Sequence, residues 1–119
     1  VKPWDFLDSI SARNTRKAIE LYSQLGTTEA LGLLSLITSR IRDLICARSM
    51  VKRGTVQELA VALGKQDWQV RNYSQWAHRF SDGELEHILS ICAHTERELK
   101  SGKDKVTSMT KLIFAVCGI

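Results

Sequence analysis

The sequence is poor in the residues that interrupt helices. It has one proline, Pro3, and seven glycines in 119 residues. A β-rich domain needs many tight turns and draws on both residue types to make them, so their scarcity favours helices. No apolar run approaches about 18 residues, which excludes a membrane-spanning helix. No charged-then-apolar leader with a small-residue cleavage site opens the chain, so secretion is not indicated and a cytoplasmic setting is expected. The chain starts at Val1 rather than methionine, which reads as a fragment of something larger or a processed chain. Cysteine is scarce and odd in number. Cys46, Cys92 and Cys117 show no C-x-x-C spacing and lie among apolar residues, so they read as inert buried thiols in a reducing compartment.

What remains is ordinary globular material. Hydrophobic residues at 44% and charged residues at 25% argue against disorder. A chain of this length buries roughly two-thirds of its unfolded surface and needs no disulfide or metal to fold. The net charge of +4 is mildly basic and weak evidence for a nucleic-acid partner. Its distribution is uneven. Arg40, Arg42, Arg48, Lys52 and Arg53 face one acid, Asp43, so this stretch alone carries the whole excess.

Helical punctuation is dense. Pro3 suits a first helical position, and Asp5 and Asp8 complement that positive end. Trp4, Leu7 and Ile10 recur at helical spacing. Asn14 can cap a second helix with a stripe of Ala18, Leu21, Tyr22 and Leu25, ended by Gly26. Thr27 or Thr28 opens a third helix with Glu29 in its first turn. Ala30, Leu33, Leu34, Ile37, Ile41, Leu44 and Ile45 then follow one face without a breaker before Gly54. That predicts about 24 residues, or roughly 36 Å. Thr55–Glu58 and Ser81–Glu84 have the form of capping boxes, the second with Phe80 and Leu85 placed as a hydrophobic staple. Between them a short helix with Val56, Leu59, Ala60 and Leu63 ends at Gly64, and another is predicted over Asp67–Arg79. The helix after Ser81 carries Leu85, Ile88, Leu89, Cys92 and Leu99 and breaks at Ser101-Gly102. A last helix holds Val106, Met109, Leu112, Ile113 and Val116. No stretch alternates with period two. The fold class expected is all-α, one compact bundle of about seven helices spanning residues 1–119 as a single domain.

Catalytic and ligand-binding patterns are missing. His78, His87 and His94 have no acidic orienter at a telling spacing and read as surface or boundary residues. Glu84 and His87 form an E-x-x-H pair, but a carboxylate-bridged di-iron site needs a second such pair and two more glutamates. Gly64-Lys65 lacks the upstream glycine of a phosphate loop, and Gln66 stands where a magnesium-binding hydroxyl is needed. No enzyme activity, metal, cofactor or small-molecule substrate is therefore expected of this chain.

Thr55 to Arg79 can be read as a helix-turn-helix, with Val70, Tyr73, Ala77 and Phe80 inward. Gln69, Asn72, Gln75 and Arg79 would then face outward to read base edges, as in a transcriptional regulator. Plain helix packing is the alternative. Trp68 and Trp76, eight residues apart, read as core aromatics or as anchors of a subunit contact. The side of the third helix opposite its Leu/Ile stripe carries Arg40, Arg42 and Lys52. That side is either a solvated basic face or a strip against an acidic partner or phosphate backbone.

The order of features resembles a known family. A long Leu/Ile/Arg helix is followed by TVQELAVALGKQDWQVRNYSQWAHRFSDGELEHILSICAHTERELKSGKDK and a closing apolar helix. This is similar to the C-terminal helical domain of the delta subunit of bacterial DNA polymerase III, part of the clamp loader. The matching elements are the Leu63-Gly64 turn, the pattern of Trp68, Val70 and Arg71, and Ala77 with the Arg79-Phe80-Ser81 junction. The Glu84-Leu85 start and the Leu99-Lys100-Ser101-Gly102 end complete them. The likeness is clearest from Leu33 to Gly102. One departure is Glu96, where family members often have aspartate. The resemblance implies a helical collar that packs beside the equivalent domains of the other loader subunits and holds a five-membered ring together. Clamp opening and the nucleotide-binding-type fold would belong to N-terminal domains that this sequence lacks. It also implies a buried contact on the order of 800 Å² per partner. Arg40, Arg42, Trp68 and Trp76 are the candidate interface residues. Lys100, Lys103 and Lys105 form a basic loop that is either solvated or set against primer-template DNA.

Overall fold

The computed structural model describes residues 2–25 and 29–119. The expected helix stop at Gly26 and start at Thr27 or Thr28 lie outside these residues. Among the described residues there is no strand. The elements are α1 (Pro3–Ser11), α2 (Thr15–Leu25), α3 (Ala30–Arg53), a 3-10 turn (Val56–Glu58), α4 (Leu59–Leu63), α5 (Tyr73–His78), α6 (Glu84–Lys100) and α7 (Lys105–Cys117). Among the described residues the fold class is all-helical with seven α-helices, as the sequence predicts.

The third helix is the spine. Its 24 residues match the expected length, and it packs against α1, α4, α5, α6 and α7. The reason is its apolar stripe: Ile37, Ile41 and Leu44 are fully buried. They meet Leu85 and Ile88 of α6 and Leu112 and Ile113 of α7 in one core. Each such side chain contributes about 1.5–3 kcal/mol of transfer free energy. The helix stops where Gly54 takes a left-handed φ of +74°, and the Thr55 N–H reaches back to the Met50 carbonyl at 2.9 Å.

That stop uses Thr55 to close α3 instead of opening α4. The Thr55 hydroxyl turns toward the Met50 carbonyl at 3.5 Å, and it makes no side-chain cap bond. The predicted capping box does not form, and a 3-10 turn leads into a five-residue helix. The second box forms by half. Glu84 Oε1 accepts the Ser81 N–H at 2.9 Å, but the Glu84 N–H goes to the Ser81 carbonyl at 3.0 Å, and Gly83 precedes the helix. Phe80 and Leu85 are both buried, as the staple requires.

The helix predicted over Asp67–Arg79 is shorter: only Tyr73–His78 is helical. Residues 67–72 are turns, closed by Gln69 N–H to the Gln66 carbonyl at 3.0 Å and Tyr73 N–H to the Val70 carbonyl at 3.0 Å. Gln69 Oε1 also accepts the Gln66 N–H at 2.9 Å, a local bond that competes with the helical ladder. Between Gly64 and Tyr73 only Val70 is buried, so no continuous apolar face holds this stretch helical. Two other positions differ from the periodic reading. Trp4 is 55% exposed and Val106 49% exposed, each in the first turn of its helix, where the apolar stripe runs past the edge of the core.

Candidate subunit interface

Two of the five basic side chains on α3, Arg40 and Arg48, are committed inside the molecule. Helical spacing puts Arg40 on the side opposite the Leu/Ile stripe, open to solvent or to an acidic partner or phosphate backbone, yet its side chain is only 10% exposed. It donates to Asp8 Oδ1 at 2.9 Å and Ser11 Oγ at 3.1 Å. Its guanidinium also lies 4.9 Å from the Tyr73 ring centre and 5.6 Å from that of Trp76. It thereby ties α1 and α5 to the spine. Arg48 donates to the Ala77 carbonyl at 3.2 Å and the Phe80 carbonyl at 2.6 Å, and it pairs with Asp82. The Phe80 carbonyl lies just past the end of α5, and the Ala77 carbonyl takes this bond in addition to the Phe80 N–H at 3.2 Å. The Arg48 hydrogen bond, helped by Lys52, holds the exposed Asp82 carboxyl below the usual range.

Arg13 forms the second knot, and sequence reasoning missed it. It occupies a left-handed φ of +59° between α1 and α2, a conformation rare for a non-glycine residue. Its Nε donates to the Val116 carbonyl at 3.0 Å, and Nη1 donates to the Arg79 carbonyl at 3.0 Å and Glu84 Oε1 at 3.1 Å. Nη2 pairs with the other Glu84 oxygen, and the group lies 4.3 Å from the Phe80 ring centre. Three helix ends therefore converge on one guanidinium. Arg79 returns the contact through Nη1 to the Ala12 carbonyl at 2.8 Å. The Glu84 carboxyl is held low chiefly by its bond from Arg13. Gly118 leaves the room this needs, since a Cβ there would fall 2.6 Å from Arg13 Nη2. No local signal marks it, because the carbonyls it binds lie 66 and 103 positions away in the chain.

The remaining candidates are scattered. Arg42 is exposed, on the flank of α3 that faces α6. Trp68 is 67% exposed in the turn region, whereas Trp76 is half-buried on α5 against Tyr73, ring centres 5.8 Å apart. The two indoles thus share no helix face. Gln69 and Asn72 sit in turns while Gln75 lies on a six-residue helix, so they do not line one recognition helix. Lys100, Lys103 and Lys105 are exposed, with Lys100 Nζ 3.6 Å from Glu96.

Where α3 and α6 run side by side, the surface opens into a furrow. One end is a depression of about 310 Å³ floored by Leu34 and Cys92, with Leu31 and Leu89 beside them. The other end is lined by Ile45, Ser49, Lys52, Gly83 and Glu86, among others. Burial pushes the Cys92 thiol pKa up, which disfavours a reactive thiolate there. His78, His87 and His94 are exposed and separate from it. Among the described residues no three His, Cys, Asp or Glu side chains converge to hold a metal ion.

A helical bundle whose arginines and carboxylates brace its own joints, and whose surface carries a furrow and a projecting indole, has the form of an interaction domain. The chain belongs to the family described as DNA polymerase III delta subunit, C-terminal domain, whose sequence model matches residues 2–116. That family is part of the clamp-loader complex of the DNA polymerase III machinery. Searches of curated proteins and of solved structures return no match. No helix among the described residues is long and apolar enough to cross a membrane.

Proposed function

We propose that this domain is a non-catalytic assembly module of the clamp loader, packing beside the equivalent helical domains of the other loader subunits. It would act as part of a collar that keeps the ring together during replication in the cytoplasm. Family membership over residues 2–116 carries this reading. Residues 1–119 serve in it as one C-terminal unit of a longer subunit. The internal use of Arg13, Arg40 and Arg48 supports it, because these braces fix the relative positions of α1, α3, α5, α6 and α7. A rigid surface loses less entropy on docking. Arg42 and the exposed Trp68 are the side chains offered to a neighbour, while Arg40 and Trp76 act from behind the surface. Lys100, Lys103 and Lys105 stand free enough to approach the phosphates of primer-template DNA in the assembled loader, a salt-dependent contact.

The experiment is co-purification of the full-length subunit with the other loader subunits, alongside salt-dependent DNA binding by the isolated chain. Assembly with weak DNA binding by the chain alone is the expected result. Failure to co-purify, together with tight sequence-selective binding through Gln69, Asn72 and Gln75, would overturn it in favour of a regulator.

A further inference from the structure

We propose that the furrow between α3 and α6 seats one helix of a neighbouring loader subunit. That helix would carry acidic side chains on its α3-facing edge and basic side chains on its α6-facing edge. The inference rests on the assembly reading and adds the place of contact and the chemistry of the partner. Its basis is the charge on the two lips. On the α3 side the furrow is lined by Arg42 at one end and Lys52 at the other. On the α6 side it is lined by Glu96 and Glu86. Within each lip the two charges are ten residues apart, about 15 Å along a helix. The helices are antiparallel, with Arg48 paired to Asp82 and Thr38 beside Cys92, so Arg42 stands near the level of Leu89, Glu86 near that of Ile45, and the charges of the two lips are staggered.

Between the lips the surface suits a helix. Leu31 is 46% exposed at one mouth and Leu89 lies half-buried along the floor. Ser35, Ser39 and Ala93 are small enough to let a backbone approach closely. An amphipathic helix laid there buries its apolar face, and the lips choose its orientation. Reversing that helix end for end exchanges its edges and sets like charges against each lip. The charges are available for the exchange. Glu96 holds Lys100 at 3.6 Å and Lys52 holds Asp82 at 3.6 Å, both exposed pairs of small worth.

The test uses the full-length subunit and the other loader subunits. Arg42→Glu and Glu96→Arg, each with an unchanged thermal melt, should weaken assembly roughly ten-fold. A photoreactive benzoylphenylalanine placed at Ser39 should crosslink to a helical segment of a sibling subunit with acids on one edge and bases on the other. A crosslink to a second copy of this chain, to DNA, or to a segment without that pattern would overturn the proposal. So would full assembly by the doubly reversed chain, and that result would leave the assembly role standing. If the unaltered subunit fails to assemble, the assembly role itself falls and this inference with it.

Discussion

The long helices and the segment from Thr55 to Phe80 are held by different forces. In α3, α6 and α7 continuous apolar stripes face one another, with Ile37, Leu44, Leu85 and Leu112 all but sealed from solvent. The middle segment also buries side chains, Leu59, Tyr73 and Phe80 among them, but its helices are five and six residues long. Helices that short form few internal bonds and cannot sustain themselves. Arginines from other elements supply what is missing: Arg48 from α3 and Arg13 from the α1–α2 joint take up carbonyls at the end of α5. Apolar burial builds the frame, and charge-assisted hydrogen bonds pin the irregular part onto it.

The sharpest way to break that contrast is to hollow the frame. Leu44→Ala removes a fully buried side chain from the helix that both regions lean on. A loss of about 2–5 kcal/mol is expected, read from the denaturant midpoint, with both regions unfolding together. A cost below about 1 kcal/mol would mean that α3 is not the shared support.

A smaller and more local loss is expected from Arg48→Ala. It strands the Phe80 carbonyl, takes one of two partners from the Ala77 carbonyl and frees Asp82 from Arg48, at a cost of about 1–3 kcal/mol. Amide hydrogen exchange should quicken across Tyr73–His78 while Ile37 to Leu44 keep their protection. Equal quickening in both places would show that the segment is not held through this arginine.

The same contrast explains what could be read from the chain. The extent of α3 was legible because stripe and stop agree: the apolar period runs unbroken to Gly54, where the chain turns left-handed. The Asp67–Arg79 helix was misread because its period is helical but its burial is not. Periodicity cannot reveal that Val70 alone of residues 65–72 finds the core. Arg40 was misplaced for a related reason. It lies at the edge of the stripe, and a long side chain there can curl inward to Asp8 and the rings of Tyr73 and Trp76. Arg13 and the furrow were invisible because both join residues far apart in sequence. Arg13 meets Glu84 across 71 positions, and the lips of the furrow come from separate helices.

Two carboxylates test the electrostatic half of the contrast with opposite signs. Glu84 is held low in the folded state by Arg13, so its pair adds stability above the unfolded value of about 4.3 and loses it as the pH falls through the folded value. Asp43 is raised by burial, despite the opposing pull of Lys65 and Arg40. Its ionisation therefore costs stability as the pH climbs from the unfolded value of about 3.9 through the raised folded one. Asp43→Asn removes that cost. The variant should be more stable than the parent at pH 7 by less than about 1 kcal/mol, with the gap closing toward pH 4. Glu84→Gln should do the reverse, being less stable at pH 7 and approaching the parent as acid neutralises Glu84. Unfolding midpoints across pH 3–7 for the two variants make the comparison. Parallel curves would mean that the Arg13 knot and the Asp43 site do not differ electrostatically, and that apolar packing alone holds both.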